Sequence, residues 1–315
     1  MSFHHNESRI YELYAKSTPG AVLSFIQSLS SEAREESRFF DYAEANLLVM
    51  SGATEKALEL LDKVAESGGW IRPSLLEEDP DFAPLLGHGR FERLSDLYQK
   101  RYEEALRSTA PTKSVLSPST DSFGRHILLV LHGDNSGAAH SLNSWEPAAK
   151  LGWTVVALQS GELGDFDGAY RWSSLDATRT AVIETLKGVS TGSEEAVVLG
   201  GFSRGGEMAL KLAVEGVGES RRAMAVCPAP MREALGPASP GGSRLGGCYI
   251  FAGREDGQYD AAVTAARELS ALGAAVTLDE RNGYGHEFPS DFAAVLSRYL
   301  KDPEISGSKS SLSSS

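Results

Sequence analysis

Three residues in the second half of the sequence have the types and the order that nucleophilic catalysis by serine requires. Ser203 stands in Gly-Phe-Ser-Arg-Gly, between an apolar β-branched run and a helix-forming segment. This strand–turn–helix context predicts a nucleophile elbow, a strained turn that exposes the serine Oγ. The pattern alone is weak, because the chain has 32 Gly and a second match at Gly188–Gly192. That copy follows a predicted helix and is interpreted as a helix cap and turn.

A serine nucleophile needs a base, and His286 is the predicted one. In elbow-type folds the chain order is serine, then Asp or Glu, then histidine. Of the seven histidines, only His286 follows Ser203 in the sequence. It stands in a Gly-rich loop between the last predicted strand and the last predicted helix. The order and the position both predict that His286 removes the serine proton.

The carboxylate that orients this base is expected after the strand that begins at Cys248. Asp256 is preferred, because the strand and the Gly-Arg-Glu-Asp turn place its carboxylate just beyond the sheet edge. Glu255 and Asp260 are alternatives. Their simpler interpretation is a solvated loop residue and an acid in the first turn of a helix, where a negative charge is favourable.

Two backbone N–H groups are predicted to stabilise the oxyanion of such a reaction. One belongs to Arg204, at the N-terminus of the helix that follows the elbow. The other belongs to Asp134, in the Gly-rich loop after the first strand of this region. Phe202, Trp172 and Tyr259 are candidates for substrate contacts, with core packing as the equally favoured alternative.

The elements that must position these residues alternate between strand and helix. Such alternation with short connections predicts a doubly wound, mostly parallel sheet, and so an α/β fold class. Ligands of these sheets bind beyond the carboxyl ends of the strands, where the candidate residues fall. The predicted strands are His126–Leu131, Trp153–Leu158, Ala196–Phe202, Ala223–Cys227, Cys248–Phe251 and Ala275–Asp279.

A smaller all-α domain is predicted before the sheet, over residues 1–110. Helical periodicity predicts a helix that starts at Pro19, one helix over Glu32–Met50, and another that is N-capped by Thr54. The pair Ala43–Met50 and Thr54–Glu66 resembles a tetratricopeptide-type hairpin. An unrelated small helical bundle is the alternative. The domain either binds a partner, which is another protein or a second copy of this chain, or only packs on its neighbour.

The predicted domain boundaries follow changes in composition. Residues 111–122 are rich in Ser, Thr and Pro and are interpreted as a linker, part of which could add an edge strand. The catalytic domain is assigned to residues 123–302. The Ser-rich residues 303–315 are expected to be a disordered tail.

The motifs of residues 124–301 together resemble the α/β-hydrolase superfamily, and within it the small carboxylesterase, phospholipase and dienelactone-hydrolase group. The motifs that carry the resemblance are Leu-His-Gly, Gly-Phe-Ser-Arg-Gly-Gly, Ala-Gly-Arg-Glu-Asp and Gly-His-Glu-Phe-Pro. The segment Gly168–Trp172 resembles one that lines the acyl site in such esterases. Asp134 departs from the usual apolar or glycine residue, and its carboxylate is expected to disfavour anionic substrates.

The resemblance implies a serine hydrolase that acts on a small-molecule ester or thioester through an acyl-enzyme. A peptidase of the same fold, or a non-catalytic protein-binding module, are the alternatives. No metal or organic cofactor is expected, and Cys227 and Cys248 are interpreted as buried free thiols. The net charge of −13 argues against nucleic-acid binding. The sequence shows no signal peptide and no membrane-spanning run, which predicts a cytoplasmic protein.

Overall fold

A computed structural model of the chain describes residues 3–118, 126–190, 196–220, 222–232 and 246–301, the last residue by its backbone only. The chain divides into two compact units. The first contains the residues up to Ala110 together with Gly161–Arg171. The second contains Pro111–Ser160 and the chain from Trp172 onward. The predicted tail at 303–315 lies outside the described residues.

The first unit is helical, as the periodicity predicts. Phe40, Leu58, Leu61 and Phe82 are fully buried in its core. A 3₁₀ turn, Pro80–Leu85, separates its last two helices. The helices are α1 (Phe3–Lys16), α2 (Pro19–Ser28), α3 (Ser31–Glu35), α4 (Phe39–Met50), α5 (Thr54–Glu66), α6 (Pro73–Glu78) and α7 (Gly89–Ser108).

Two predictions about these helices are wrong in detail. The single helix expected over Glu32–Met50 is two helices, α3 and α4, because the Ser37 hydroxyl accepts the Phe39 N–H at 3.2 Å and starts a new helix there. Thr54 is the first residue of α5 rather than its cap. The capping residue is Ala53, which offers no side-chain acceptor.

A segment from the α/β part of the sequence packs with the helices. Phe166 packs its ring against Phe39 and Tyr42, with centroids 6.1 and 5.7 Å apart. The Arg72 N–H donates to the Asp165 carbonyl at 2.8 Å, and its guanidinium pairs with the Asp165 carboxylate at 2.9 Å. Gly161–Arg171 therefore belongs to the helical unit, although the sequence places it between a strand and a helix of the sheet region.

The second unit contains a seven-stranded sheet. The strands are β1 (Thr112–Leu116), β2 (His126–Leu131), β3 (Thr154–Gln159), β4 (Ala196–Phe202), β5 (Ala223–Val226), β6 (Gly247–Gly253) and β7 (Ala275–Arg281). Their order in the sheet is β1-β3-β2-β4-β5-β6-β7. All neighbouring strands are parallel except β1, which pairs antiparallel with β3 at the edge. The strand β1 lies within the segment that the composition predicts as a linker.

Helices cover both faces of this sheet, which explains why the central strands are continuous apolar runs. The helices are α8 (Ala138–Trp145), α9 (Leu175–Lys187), α10 (Arg204–Glu215), α11 (Tyr259–Ala271) and α12 (Phe292–Lys301). One core contains Leu129, Leu199 and Ile250 with side chains of α9–α11, and the other contains Val130, Trp145 and Phe251 with side chains of α8 and α12. Within the part of the chain that the structure describes, no helix is long and apolar enough to cross a bilayer.

Candidate active site

The turn between β4 and α10 has the geometry of a nucleophile elbow. Ser203 has φ 52° and ψ −119°, a conformation that residues with a side chain rarely adopt. A Cβ on Gly201 would lie 2.2 Å from the Gly205 carbonyl oxygen, and a Cβ on Gly205 would lie 2.3 Å from the Leu131 carbonyl oxygen. Glycine is therefore required on both sides of the serine. The motif that the sequence singles out is a real strand–turn–helix junction.

Backbone hydrogen bonds hold Ser203 in this conformation. Its N–H donates to the Val226 carbonyl at 3.0 Å, at the carboxyl end of β5. Its carbonyl accepts the N–H groups of Glu207 and Ala229 at 3.1 and 3.0 Å. The backbone N–H and the carbonyl of Ser203 thus both have partners, and these hydrogen bonds offset the strain of the positive φ.

Asp256 and His286 form a hydrogen-bonded pair. The His286 Nδ1 lies 2.8 Å from the Asp256 Oδ2, and the Asp256 Oδ1 accepts the Gln258 N–H at 2.8 Å. Because an ionised carboxylate can only accept, the proton resides on Nδ1 and leaves Nε2 as the basic nitrogen. The alternatives Glu255 and Asp260 are both exposed, whereas Asp256 is buried.

The pKa of Asp256 is lowered from the usual 3.8 despite its burial. Burial by itself raises the pKa of this carboxyl. The hydrogen bond and the charge of His286, the Gln258 N–H and the Cys227 thiol outweigh that effect and favour the ionised form. The carboxylate is thus ionised at neutral pH, as an orienting partner for histidine must be.

The His286 ring lies beside the elbow. Its centroid is 4.8 Å from that of Phe202, the residue that precedes Ser203. Phe202 also packs against Phe288, with the two rings stacked at 5.0 Å. This aromatic packing fixes the histidine loop against the end of β4, next to the candidate nucleophile.

The loop after β2 also approaches the elbow. A Cβ on Gly133 would lie 3.4 Å from the Cβ of Ser203. The buried ring of His132 accepts the Ser160 N–H through Nε2 at 3.1 Å, so its Nδ1–H donates to the Gly133 carbonyl at 2.7 Å. In a trans peptide the C=O and the next N–H point in opposite directions. The Asp134 N–H is therefore turned away from His132.

The side chain of Asp134 connects several parts of the site. Its Oδ1 accepts the Trp172 N–H at 3.0 Å, and its Oδ2 lies 3.7 Å from the Arg204 Nε and 3.9 Å from the Arg232 Nη2. Two guanidinium groups therefore offset the negative charge that the sequence predicts at this position. The two residues whose amides are predicted to bind an oxyanion are also linked to each other through their side chains.

Glu207 binds both arginines that lie near the Asp134 carboxylate. It is fully buried, and it forms ion pairs with Arg204 and with Lys211, the latter at 3.0 Å. Its Oε1 also accepts the Arg232 N–H at 2.9 Å. A buried carboxylate is tolerated only when it is paired and hydrogen-bonded, as here. Glu207 was not predicted as a site residue, although its i+4 spacing to Lys211 on a helix was a usable signal.

The three candidates for substrate contacts are placed differently from one another. Trp172 is buried, with its indole N–H donating to the His132 carbonyl at 2.8 Å. Phe202 is buried between His286 and Phe288. These two side chains therefore pack with other site residues. Tyr259 is partly exposed and its hydroxyl bonds to Glu280. Substrate contact stays a prediction for all three residues.

The comparisons with known proteins agree with this fold. Residues 7–106 match the family model described as the A/B hydrolase-like, N-terminal domain. An uncharacterized protein from Bacillus cereus ATCC 10987 is similar in structure, with a TM-score of 0.52 and 18% identity over 96% of this chain and 98% of that chain. A carboxylesterase from Mesorhizobium loti has a TM-score of 0.51 and 20% identity, over 62% of this chain and 97% of that chain.

A comparison with curated proteins gave no significant match. The predicted fold, a helical domain before a mostly parallel α/β sheet, is confirmed. The family model that matches the helical domain agrees with the predicted resemblance to α/β hydrolases. The tetratricopeptide resemblance of that domain stays a prediction.

Gly205→Ala is expected to disrupt the elbow, because the added Cβ meets the backbone carbonyl oxygens of Leu131 and His132 at 2.3 and 2.4 Å. We expect a loss of about 1–3 kcal/mol in the free energy of unfolding. Urea unfolding measures this directly. Gly257→Ala is the matched control, since its Cβ would meet nothing within 4 Å. Equal stability of both variants would contradict the close packing described for the elbow.

The lowered pKa of Asp256 predicts how Asp256→Asn changes stability with pH. A carboxyl whose pKa is lower in the folded than in the unfolded chain contributes stability above about pH 3.8, and loses it as the pH falls through the folded value. Urea unfolding from pH 7 to pH 2 should show a lower free energy of unfolding for the variant near neutral pH. The difference from the wild type should disappear in acid. A deficit in the free energy of unfolding that is independent of pH would argue against an ionised Asp256.

Proposed function

We propose that this protein is a serine hydrolase that cleaves a carboxylic ester or thioester through an acyl-enzyme on Ser203. The observation that carries the proposal is the strained Ser203 turn beside a histidine that is paired with a buried, ionised carboxylate. A buried carboxylate and a strained elbow conformation are both costly, and they occur together where catalysis needs them.

In the proposed reaction, the Ser203 Oγ attacks the acyl carbon while the His286 Nε2 takes its proton. Asp256 holds the imidazole in the required tautomer and stabilises the imidazolium that forms. The N–H groups of Asp134 and Arg204 bind the oxyanion. His286 then protonates the leaving alcohol or thiol, and water hydrolyses the acyl-enzyme by the same steps.

The ion network around Asp134 supports the proposed oxyanion site. Arg204 and Asp134 are close in space through their side chains, and Arg204 is held by Glu207 and by the Pro230 carbonyl at 3.1 Å. Their amides would therefore be positioned before substrate arrives, which is the condition for efficient electrostatic stabilisation. The M. loti neighbour is named a carboxylesterase, which agrees with the ester class proposed here.

The expected substrate is a small molecule. A protein partner or self-association through the helical unit remains a prediction, as does a cytoplasmic location. A peptidase of the same fold would share this machinery, so a panel of esters, thioesters and peptides separates the two activities once an activated serine is demonstrated.

Treatment with a fluorophosphonate probe should give one covalent adduct on the wild type and none on Ser203→Ala. Only a serine with an active base reacts readily with such a probe. Intact-mass measurement detects the adduct without knowledge of the substrate. Ser190→Ala is the matched control, because Ser190 stands in the second Gly-x-Ser-x-Gly match and should leave labelling unchanged. No adduct on folded wild-type protein would contradict the proposal and favour a non-catalytic binding module.

Asp134→Ala should lower kcat about tenfold to a hundredfold with little change in KM, because a loosened oxyanion loop weakens transition-state binding more than substrate binding. Asp134→Asn keeps an oxygen that can accept the Trp172 N–H, so it should recover much of the loss. Steady-state kinetics on an ester identified by the panel measures both values. A change confined to KM would show that Asp134 contacts substrate rather than positioning the loop.

A further inference from the structure

A buried thiol that the proposed hydrolysis does not use lies against the histidine loop. Cys227 directly follows β5, is 1% exposed, and has φ 48°, in the left-handed region that rarely accommodates a side chain. Its Sγ lies 3.5 Å from the Glu287 carbonyl oxygen and 3.8 Å from that of Gly285. These are the two neighbours of His286 in the sequence. The sulfur of Cys227 thus lies against the loop that carries His286.

The sulfur completes a set of three metal-binding side chains. One ligand atom each from Cys227, Asp256 and His286 lie within 4.8 Å of one another, and this is the only such group among the residues that the structure describes. The short side of the triangle is the 2.8 Å between the His286 Nδ1 and the Asp256 Oδ2. Two ligands of one zinc ion lie at most about 4.6 Å apart, twice its longest usual bond length. Small side-chain movements would therefore bring all three ligand atoms onto one ion.

We propose that Cys227, Asp256 and His286 bind a thiophilic divalent cation such as Zn²⁺, and that the bound ion switches off the hydrolase. The binding site stands on the geometry alone, whereas the inhibition rests on the proposed function. The donor set of one thiolate sulfur, one carboxylate oxygen and one imidazole nitrogen suits zinc, with water available as a fourth ligand.

Proton balance favours binding without a new buried charge. The ion displaces the Cys227 thiol proton, which is released to solvent, and it takes the place of the proton on the His286 Nδ1, which moves to Nε2 because a neutral imidazole keeps one N–H. One thiolate, one carboxylate and one doubly charged ion then leave the three ligands and the ion with no net charge. Burial and the Asp256 charge raise the pKa of the Cys227 thiol, so zinc must compete with a firmly held proton. Affinity should accordingly increase with pH.

The ion would inhibit the hydrolase because it replaces the hydrogen bond that orients His286. His286 is held by its Nδ1–H donation to Asp256, and a metal on both atoms removes that hydrogen bond. With the ion on Nδ1, the ring proton would lie on Nε2, which then has no free lone pair to accept the Ser203 proton. Ser203 would then lack a competent base.

The test of binding is native mass spectrometry and equilibrium dialysis of metal-free protein with ZnCl₂. The wild type should bind one Zn²⁺. Cys227→Ala and Cys227→Ser should each bind at least about tenfold more weakly, because loss of a ligand costs no less than loss of an outer partner. Cys248→Ala is the matched control: Cys248 is equally buried and free, and burial raises its pKa to about 12. This variant should bind as the wild type does.

Inhibition is tested by the rate of fluorophosphonate labelling with ZnCl₂ and after addition of EDTA. Zinc should suppress labelling of the wild type and of Cys248→Ala, EDTA should restore it, and each Cys227 variant, scaled to its own zinc-free rate, should resist zinc. Equal zinc affinity of the wild type and the Cys227 variants would overturn the site. Zinc binding without loss of labelling would overturn the inhibition. Absence of labelling without zinc would instead overturn the proposed function, and the binding result would still stand.

Discussion

The conformation of Ser203 is the constraint on which the rest of the site depends. A residue with a side chain is held at φ 52° where β4 becomes α10. The turn is possible because Gly201 and Gly205 let backbone atoms approach to distances that a Cβ would forbid. The same close approach brings the β2 loop and the elbow together. Strain at one serine and the absence of two side chains thus bring the candidate nucleophile next to the candidate oxyanion loop.

Charge is the second organising feature of the site. The site residues include two buried carboxylates, Asp256 and Glu207, and each is paired with charged or polar groups. Asp256 pairs with His286, whereas Glu207 holds Arg204 and through it the Asp134 loop. The Asp134 carboxylate is in turn offset by the guanidinium groups of Arg204 and Arg232, which makes an acidic residue compatible with the proposed oxyanion site.

Strands that are determined by the local sequence pattern were predicted correctly. The bounds of β2 and β4 were predicted as observed because both strands are continuous apolar runs. The break between α3 and α4 was missed because it depends on one Ser37 side-chain hydrogen bond. The packing of Gly161–Arg171 with the helices, and the contacts of Cys227, were also missed, because tertiary contacts between distant parts of the chain determine them. No local spacing encodes such contacts.

The most direct measurement is a crystal structure of the protein after reaction with the fluorophosphonate probe. We predict phosphorus bonded to the Ser203 Oγ, with one phosphoryl oxygen about 2.7–3.1 Å from the amide nitrogens of Asp134 and Arg204. We also expect the His286 Nε2 within hydrogen-bond reach of the Oγ. An adduct on another residue, or a phosphoryl oxygen directed away from both amides, would show that this elbow and loop do not form one catalytic site.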